Sequence, residues 1–387
     1  MAKLCDLGKI VTGNTPKTSD PENYSSLDIP FVKPSDILED ELVSISNSEF
    51  YISEKAREKA RIIPPGSILV TCIGIVGKVA INQVECAFNQ QINAIVPDAK
   101  KCDAKYVAYA IQHLKPQLQN IANAAVVPII NKAQFSQIEI VLPSLDEQQR
   151  IAAILDKVTD LIAQRRAQLD KLDLLVKSRF VEMFGDPVLN PMNWPSVPLS
   201  DMADIVSGIT KGRKTKEHNL IDVPYMAVSN VKAGYIDWTT VKTIAATQSE
   251  IDQYRLLPDD VLMTEGGDPD KLGRGAIIKK PLENCIHQNH IFRVRLDETK
   301  ILPVYFAEYL QHQKSKQYFL RCAKQTTGIA SINMTQLKGL PTLVPPTEMQ
   351  LAFNKKIEQV NNVKVATEQS LSKLEIFKKA LMQQYFQ

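Results

Sequence analysis

Few phrases in this chain combine residue types that could carry out chemistry. CIHQNH supplies Cys285, His287 and His290, which are side chains of the kinds that bind zinc. On a strand, Cys285 and His287 would face one side and His290 the other, so we do not expect them to converge on a metal. EGGDPDK at residues 265–271 holds acids near a lysine, as a magnesium nuclease would, but its glycines and proline favour a flexible loop.

Other catalytic patterns are incomplete or missing from the sequence. GIVGKV at residues 74–79 ends in Gly-Lys but lacks the first glycine and the hydroxyl residue of a phosphate-binding loop, so it predicts a tight turn between strands. No Asn/Asp-Pro-Pro-Tyr/Phe phrase occurs, which argues against amino-group methylation by this chain itself. His113 and His312 fit a helix surface or a packing role, and no Ser-His-Asp arrangement can be assembled.

Polar loops carry the remaining candidate chemistry. SGITKGRKTKEH places Lys211, Arg213, Lys214 and Lys216 within six residues, which predicts either phosphate contacts or a solvated loop. CAFNQQ and CIHQNH set amide and imidazole groups at matching places; Asn and Gln can read adenine, whereas Arg or Lys can read guanine. A polar edge strand is the alternative interpretation of these two phrases, and an ordinary turn is the alternative for KQTTGIAS at residues 324–331.

We therefore predict a set of DNA-contacting residues drawn from both halves of the chain. Its members in the first half are Lys17, Lys33, Ser35, Lys78, Asn89, Gln90 and Gln91. Its members in the second half are Lys211, Arg213, Lys214, Lys216, Ser229, Asn230, Arg274, His287, Gln288, Asn289, His290, Lys324, Thr326 and Thr327. We predict no metal site and no catalytic residue.

These loops must be positioned by larger elements, and the clearest is a long helix at residues 146–184. Its apolar residues recur at alternating steps of four and three, which predicts a heptad seam rather than a broad buried face. No Gly or Pro interrupts the helix, which would be about 58 Å long at ~1.5 Å per residue. Gly185 and Pro187 end it. A seam of this length requires a partner.

A second helix at residues 346–387 provides that partner, since its seam matches the first at a shift of 202 residues. Arg165 and Lys364 interrupt the two seams, so we expect the middle of the pairing to be looser or lined by water. The predicted seam residues are Ile151, Leu155, Val158, Ile162, Leu169, Leu172, Val176, Phe353, Ile357, Val360, Leu371, Leu374 and Leu381.

The helices belong to a wider internal duplication. LCDLGKIVTG at residues 4–13 matches LSDMADIVSG at 199–208, and CAFNQQI at 86–92 matches CIHQNHI at 285–291. YVAYAIQH and YFAEYLQH follow in the same order, as do INKAQF and INMTQL before the two helices. The matches predict a tandem α/β (α+β) fold in which each globular unit has a small irregular sheet, one helix and long loops. The predicted segments are residues 1–145, the helix 146–184, a linker 185–196, residues 197–345 and the helix 346–387.

Composition says less than the repeats about the class of protein. The six cysteines lie far apart without a CxxC pair, and there is neither a signal peptide nor an apolar run near the ~20 residues of a membrane span, so we expect a cytoplasmic protein. A net charge of +3 is too small to indicate nucleic-acid binding by itself, and any positive charge that matters must be local.

Over its whole length the chain resembles the specificity subunits of type I restriction–modification systems. The resemblance rests on the phrases GNTPKTSDPENYSSLDIPFVKPSDI, LPSLDEQQRIAAILDKVTDLI, FVEMFGDPVLNPMNWP and VPPTEMQLAFNKKI, in this order and spacing. It implies that residues 1–145 and 197–345 are target recognition domains. The two helices would then pair as an antiparallel coiled coil in a pseudo-twofold body and set the spacing of two half-sites in one bipartite DNA sequence.

The resemblance also implies a division of labour among subunits. Double-stranded DNA, two modification (methyltransferase) subunits and restriction subunits would be the partners. Those subunits would bind S-adenosylmethionine, ATP and Mg, and this chain would hold no cofactor. The second helix departs from the family pattern at TEMQLAFNKK, where the first has DEQQRIAAIL. A specificity half fused to its own nuclease, and a protein scaffold that binds no DNA, are the alternatives.

Overall fold

The computed structural model describes residues 1–122, 127–213, 219–268, 272–326 and 329–387. The chain divides into two compact units. Unit 1 comprises Met1–Ala167 and Glu368–Gln387, and unit 2 comprises Gln168–Thr367. This division cuts across the predicted segments because each long helix contributes one half to each unit.

Unit 1 is built from short strands and short helices. Its strands are β1 (Ala2–Lys3), β2 (Gly8–Thr12), β3 (Ile29–Val32), β4 (Val43–Ile45), β5 (Tyr51–Ile52), β6 (Ile62–Ile63), β7 (Ile68–Thr71), β8 (Val79–Asn82), β9 (Cys86–Phe88), β10 (Ile92–Pro97) and β11 (Glu139–Ile140). Its short helices are α1 (Leu4–Leu7), α2 (Ala104–His113), α3 (Lys115–Ala122) and α4 (Lys132–Ser136). One sheet has the strand order β2-β10-β7-β8-β4, a second has the order β5-β3-β9-β6, and β1 pairs with β11.

The five-stranded sheet of unit 1 is covered on both faces. Ile68 and Val70 of β7 enter a core shared with α2, whereas Leu69 between them enters a second core with Phe88. This burial explains why β7 reads as a continuous apolar run, since a strand with only one buried face would alternate. Unit 1 therefore contains more sheets and more helices than the single sheet and single helix that the sequence predicted.

Unit 2 repeats this construction. The long helix α5 (Leu145–Phe184) leads into it. Its strands are β12 (Ser196–Pro198), β13 (Ala203–Ser207), β14 (Ile221–Met226), β15 (Lys242–Ala246), β16 (Val261–Thr264), β17 (Gly266–Gly267), β18 (Gly275–Ile277), β19 (Ile286–His287), β20 (Ile291–Leu296), β21 (Lys324–Thr326), β22 (Ile329–Ser331) and β23 (Pro341–Leu343). Its short helices are α6 (Gln248–Tyr254), α7 (Pro303–Tyr309), α8 (Gln313–Cys322) and α9 (Met334–Lys338), and the long α10 (Thr347–Phe386) begins in unit 2 and ends in unit 1. The sheet orders are β13-β20-β16-β18, β15-β14-β19, β17-β22-β21 and β12-β23.

Equivalent strands pair with the same partners and in the same directions in the two units, which confirms the predicted duplication. Strand β2 pairs antiparallel with β10 as β13 does with β20, and β3 runs parallel to β9 as β14 does to β19. Asn131 caps α4 and Asn333 caps α9, and a glutamine three residues later closes a capping box in each case.

A buried glutamine near the start of each long helix is a further shared feature. The Oε1 atom of Gln148 accepts a hydrogen bond from the Asp103 backbone N–H at 3.0 Å, and its Nε2 donates to a proline carbonyl at 2.9 Å. Gln350 likewise accepts from the Leu302 N–H at 2.7 Å and donates to a proline carbonyl at 2.8 Å. Each amide thus joins its long helix to the N-terminus of α2 or α7.

The two predicted long helices are present, and within each unit they pack antiparallel. In unit 1 the first half of α5, including Ile151 and Leu155, shares a core with Leu381 near the end of α10. In unit 2 the second half of α5 shares a core with Phe353 and Ile357 near the start of α10. All thirteen predicted seam residues are buried or half-buried. Gly185 ends α5 with a positive φ of 76°.

Charged side chains at or next to the two polar seam positions form ion pairs. In unit 2 the ammonium of Lys364 pairs with the carboxylate of Asp173. In unit 1 the guanidinium of Arg166, next to the half-buried Arg165, pairs with Glu41 and, at 2.9 Å, with Glu375. Within the described ranges, no helix combines the length and the apolarity needed to cross a membrane.

Candidate nucleic-acid interface

Four loops of unit 1 meet where β2, β3, β7 and β9 end. We call them loop cluster 1, which consists of residues 13–17, 33–37, 72–78 and 89–91. The backbone N–H of Asn14 donates to the Phe88 carbonyl at 3.0 Å, and that of Cys72 donates to the Gln91 carbonyl at 2.8 Å. Because these strand ends lie side by side, residues far apart in sequence form one polar surface.

Three predicted contact residues of loop cluster 1 are exposed: Lys17, Ser35 and Gln90. The Oε1 atom of Gln90 accepts a hydrogen bond from the hydroxyl of Thr15 at 2.7 Å. This bond orients the Gln90 amide so that its NH₂ group remains available to another acceptor. The loop therefore presents a pre-oriented amide donor, and Lys17 and Ser35 are exposed on other loops of the same cluster.

The other predicted residues of this cluster are occupied within the protein. Lys78 donates to the carbonyls of Pro34 and Ile37 at 3.0 Å and 2.9 Å and so ties two loops together. The amide of Asn89 is buried and donates to Gln91 at 2.9 Å. These side chains hold the shape of the cluster.

Lys33 makes a different internal contact. Its ammonium lies 3.1 Å from the ring centroid of Phe50, a cation–π arrangement, and the side chain is half-buried. An ammonium in this position can still approach a phosphate on its open side, since only one of its faces meets the ring.

Unit 2 carries the equivalent surface, loop cluster 2, which consists of residues 207–213, 226–230 and 288–290 with the described part of residues 264–275. The N–H of Ile209 donates to the His287 carbonyl at 2.8 Å, and the N–H of Gln288 donates to the Met226 carbonyl at 3.0 Å. The loop that contains Glu265 joins through its N–H to the His290 carbonyl at 3.0 Å.

A glycine makes the close approach of loops possible in each cluster. A Cβ atom on Gly13 would collide with the backbone carbonyls of Phe88 and Asn89, and a Cβ atom on Gly208 would collide with that of His287. The loop after β2 or β13 can therefore lie against the opposite loop only with glycine at this position.

The basic loop of unit 2 separates into exposed and paired cations. Lys211 is exposed, as is Ser229 on the neighbouring loop. The guanidinium of Arg213 instead pairs with the carboxylate of Glu250 and donates to the Ala245 carbonyl at 3.1 Å. Arg213 lowers the pKa of the Glu250 carboxyl through this hydrogen-bonded pair. Lys214 and Lys216 lie outside the described residues.

His287 lies in the core, although its sequence phrase suggested a reader. Its ring is fully buried, with Nδ1 3.1 Å from the Tyr254 carbonyl and Nε2 3.3 Å from the Val206 carbonyl. Burial lowers its pKa from 6.5 to about 4, so the ring is neutral at pH 7. The equivalent residue of unit 1 is the buried Phe88.

The other predicted contact residues of loop cluster 2 range from buried to exposed. Asn230 is buried and donates to the Asp237 carbonyl at 2.9 Å. The side-chain oxygen of Gln288 accepts from the Val228 N–H at 3.4 Å. Asn289 is half-buried, and the exposed imidazole of His290 bonds to the carboxylate of Glu265.

Two more predicted cations lie in loop cluster 2 or beside it. Arg274, half-buried, occupies the place that Lys78 has in unit 1, directly before β18, and its Nε is buried without a hydrogen-bond partner among the described residues. Lys324 is exposed on β21. The side chain of Thr326 and the whole of Thr327 lie outside the described residues.

Exposed apolar and aromatic side chains beside the clusters were missed by the sequence interpretation. Ile75 is 52% exposed at the tip of a loop in cluster 1. Tyr235 is 60% exposed in a turn whose Gly234 N–H donates to the Gly275 carbonyl at 2.9 Å beside cluster 2. Each of the two residues directly follows a glycine in the sequence, but this signal is too common to have identified them as candidate contact residues.

The two clusters are polar loop surfaces. Among the described residues, no three His, Cys, Asp or Glu side chains gather as a metal site would require. Both clusters combine lysines with exposed amide or hydroxyl groups on loops that closely packed strands hold in place. Such groups suit contacts to phosphates and to the edges of bases.

The match to a known protein family occurs twice in the chain, once in each half. The family model described as "Type I restriction modification DNA specificity domain" matches residues 1–172 and 191–376. The type I restriction enzyme EcoKI specificity subunit of Escherichia coli strain K12 is 21% identical over 380 residues, which cover 93% of this chain and 81% of that protein. The MjaIX specificity subunit of Methanocaldococcus jannaschii is 28% identical over 250 residues, which cover 60% of this chain and only 58% of that protein.

Solved structures share the fold at low sequence identity. The type I restriction–modification S subunit from M. genitalium gives a TM-score of 0.59 at 13% identity, with 100% of this chain and 95% of that chain covered. A chain from a study of complex assembly and conformational transition of the type I R-M system gives 0.60 at 15% identity, with 99% and 96% covered.

Proposed function

Since this chain belongs to the type I restriction modification DNA specificity family and carries its domain twice, we propose that it is a sequence-specificity subunit. Each unit reads one half-site of a bipartite, asymmetric DNA target. The observation that supports this proposal is the pair of loop clusters, which are built from equivalent loops but present different side chains. At equivalent positions, Gln90 is exposed in the first cluster where Asn289 is half-buried in the second, and the first cluster has Lys33 where the second has Ala227.

The paired helices act as the spacer between half-sites in this proposal. Two readers on one chain also raise each other's effective concentration on DNA, so that two weak half-site affinities combine into tight binding. Exposed cations such as Lys17 and Lys211 supply the phosphate contacts that position each reader.

The chain acts without catalysis of its own in this proposal. Two modification subunits dock on the chain and methylate the target DNA with S-adenosylmethionine, and restriction subunits cleave it with ATP and Mg. These cofactors belong to the partners. The assembled complex works in the cytoplasm.

Methylation mapping tests the proposal directly. The chain is expressed with its modification subunit in cells that lack adenine methylation, and the methylated positions are read by sequencing. We expect one bipartite motif with two different halves. Q90A should relax the first half only, by about 1–3 kcal/mol of base discrimination. Gln83→Ala, a change to an exposed glutamine of unit 1 outside the cluster, is the matched control and should leave the motif unchanged.

Other outcomes would identify the alternatives. DNA hydrolysis by the purified chain alone would favour a fused nuclease. A modification complex that methylates DNA without sequence preference, or that needs no contribution from this chain, would favour a scaffold.

A further inference from the structure

A small pocket of unit 2 lies at the edge of loop cluster 2. It measures about 300 Å³, at the small end of the range of ligand sites. Its apolar lining includes the buried side chains of Leu272 and Leu310. Three cations also line it, namely Lys232, Arg274 and Lys316. Among the described residues no acid lines this pocket, so its three positive charges have no counter-ion there.

These cations are not held by ion pairs elsewhere in the part of the chain that the structure describes. The Nε atom of Arg274 is buried without a hydrogen-bond partner, and neither Lys232 nor Lys316 pairs with a described acid. Asp237 has its pKa lowered chiefly by the hydroxyl of Thr239, with Lys232 a minor cause, and it does not line the pocket. A buried donor without an acceptor destabilises the fold, and a bound anion would offset this effect.

Unit 1 neutralises the equivalent place with acids of its own. The aligned phrases DIPFVKPSDI and DVPYMAVSNV continue so that Glu39 and Asp40 stand where unit 2 has Ala233 and Gly234. Both acids pair with Lys115 of α3, the glutamate at 3.2 Å and the aspartate at 2.8 Å. Helix α3 follows the phrase YVAYAIQH as α8, which carries the third cation of the pocket, follows YFAEYLQH.

The equivalent of Arg274 is satisfied in unit 1 as well. Lys78 donates to the carbonyls of Pro34 and Ile37, whereas the Nε atom of Arg274 has no such acceptor among the described residues. The duplication therefore shows one place in two electrostatic states. In unit 1 its cations are compensated within the chain, and in unit 2 they are left for a ligand.

The place of the pocket beside loop cluster 2 favours a phosphate of the DNA backbone as this ligand. Arg274 belongs to the cluster, and the turn that follows Lys232 is fixed to it because the Gly234 N–H donates to the Gly275 carbonyl at 2.9 Å. Tyr235 of the same turn lines the pocket and is 60% exposed, so its hydroxyl is a further donor. Guanidinium and ammonium groups are the usual partners of phosphate, and DNA on the cluster would bring its backbone to this edge.

We propose that this pocket binds one backbone phosphate at the second half-site and that unit 1 has no counterpart of this contact. The inference rests on the proposed function. Arg274 donates to the phosphate oxygens, and the ammonium groups of Lys232 and Lys316 add positive charge. The apolar lining limits screening by water and so strengthens the attraction. The three cations are positioning residues, since a phosphate contact sets how unit 2 sits on DNA but carries no sequence information.

A returned acid tests the proposal. The full-length chain, assembled with its modification subunit, binds a duplex that carries the mapped motif, and fluorescence anisotropy follows binding over a range of salt concentrations. Ala233→Glu introduces, at an exposed position, the acid that unit 1 has there. It should weaken binding about tenfold and reduce the slope of log K against log salt by about 0.9. Ser200→Glu adds the same charge before β13, at the end opposite to loop cluster 2, and should change neither quantity.

A second variant keeps the test independent of how the glutamate is accommodated. Arg274→Gln should weaken binding and reduce the salt slope as Ala233→Glu does. It should leave the urea midpoint of the free chain unchanged, because the Nε atom of the arginine has no hydrogen-bond partner to lose among the described residues. A lower midpoint together with an unchanged salt slope would show a structural role for Arg274 and would overturn the proposal.

Duplexes with one uncharged methylphosphonate in place of a single phosphate locate the contact. At one position of the second half-site the replacement should weaken binding by the parent complex about tenfold and by the Arg274→Gln complex about twofold at most. Equal effects on both complexes at every position, or a coupled position in the first half-site, would overturn the proposal.

Two further outcomes separate this inference from the proposed function. A parent complex that prefers its motif but ignores Ala233→Glu and Arg274→Gln would overturn the phosphate site alone. A parent complex without sequence preference would overturn the proposed function. Inorganic phosphate is the probe for a free anion, and its saturable binding to the chain without displacement by DNA would overturn the assignment to the DNA backbone.

Discussion

Replacement of His287 by phenylalanine should test whether this core residue of unit 2 also affects which DNA sequence is read. The imidazole lies between the carbonyls of Tyr254 and Val206 and is fully buried. Phe88 occupies the equivalent place in unit 1, so the fold accepts a phenyl ring at this position. If His287 acts in the core, H287F should change the pH dependence of stability and leave the methylated DNA sequence unchanged.

The magnitude follows from the pKa of the buried ring. Burial lowers this pKa from 6.5 to about 4, chiefly by desolvation; Arg293 lowers it further and Asp260 opposes it. Between these pH values the unfolded chain binds more protons than the folded chain. The contribution of the neutral, buried ring to the free energy of unfolding is therefore fully present above pH 6.5 and is lost as the pH falls towards 4. Since one pKa unit corresponds to ~1.4 kcal/mol, the loss should reach about 3 kcal/mol.

The variant should behave differently at the two ends of this range. At pH 7 it loses one hydrogen bond to a backbone carbonyl, which costs about 1 kcal/mol. At pH 4 it no longer carries a group that must be kept neutral, so it should be more stable than the parent by about 2 kcal/mol. The two stability curves should therefore cross between pH 4 and pH 7.

Urea unfolding followed by tryptophan fluorescence suits this test, because both tryptophans of the chain, Trp194 and Trp238, lie in unit 2. Parent and variant are compared at matched pH values, so that pH effects from other groups cancel. Parallel curves without a crossing would refute the assignment of the lowered pKa. A changed second half-site in methylation mapping would instead show that His287 reads a base.

Further predictions concern a buried amide, the basic loop and the helix seam. Gln350→Leu should destabilise the chain by about 3 kcal/mol in urea unfolding, because it leaves a buried backbone N–H and a buried carbonyl unpaired; an unchanged midpoint would contradict this. Lys211→Gln should weaken binding to all DNA sequences and reduce the slope of log K against log salt by about 0.9, whereas Arg213→Gln should mainly destabilise unit 2 by leaving Glu250 without its cation. A fragment of residues 1–186 lacks the part of α10 that covers its seam, so it should dimerise in light scattering and direct methylation to a palindrome; a monomer with a folded helix would argue against the spacer model.

The long-range order of the chain could be predicted from sequence alone. Heptad spacing gave both long helices, because a stripe of apolar residues must be buried whatever its partner is. The collinear matches gave the duplication, and Asn131 and Asn333 begin their helices through local capping bonds that a short phrase encodes. Gly13 and Gly208 also repeat, although the sequence does not reveal the carbonyls that exclude a side chain there.

Only the tertiary structure decided which polar side chains are available to a ligand. CAFNQQ and CIHQNH look equally polar, but the parallel pairing of β9 with β3 and of β19 with β14 buries Phe88 and His287 and leaves Gln90 exposed. Whether a cation is free depends on residues far away in sequence, as with Arg213 and Glu250. The pocket beside Arg274 has the same origin, because it exists only where α8, loop cluster 2 and the turn at residues 232–235 come together. Burial and pairing are properties of neighbours in space, and a local sequence pattern specifies only neighbours along the chain.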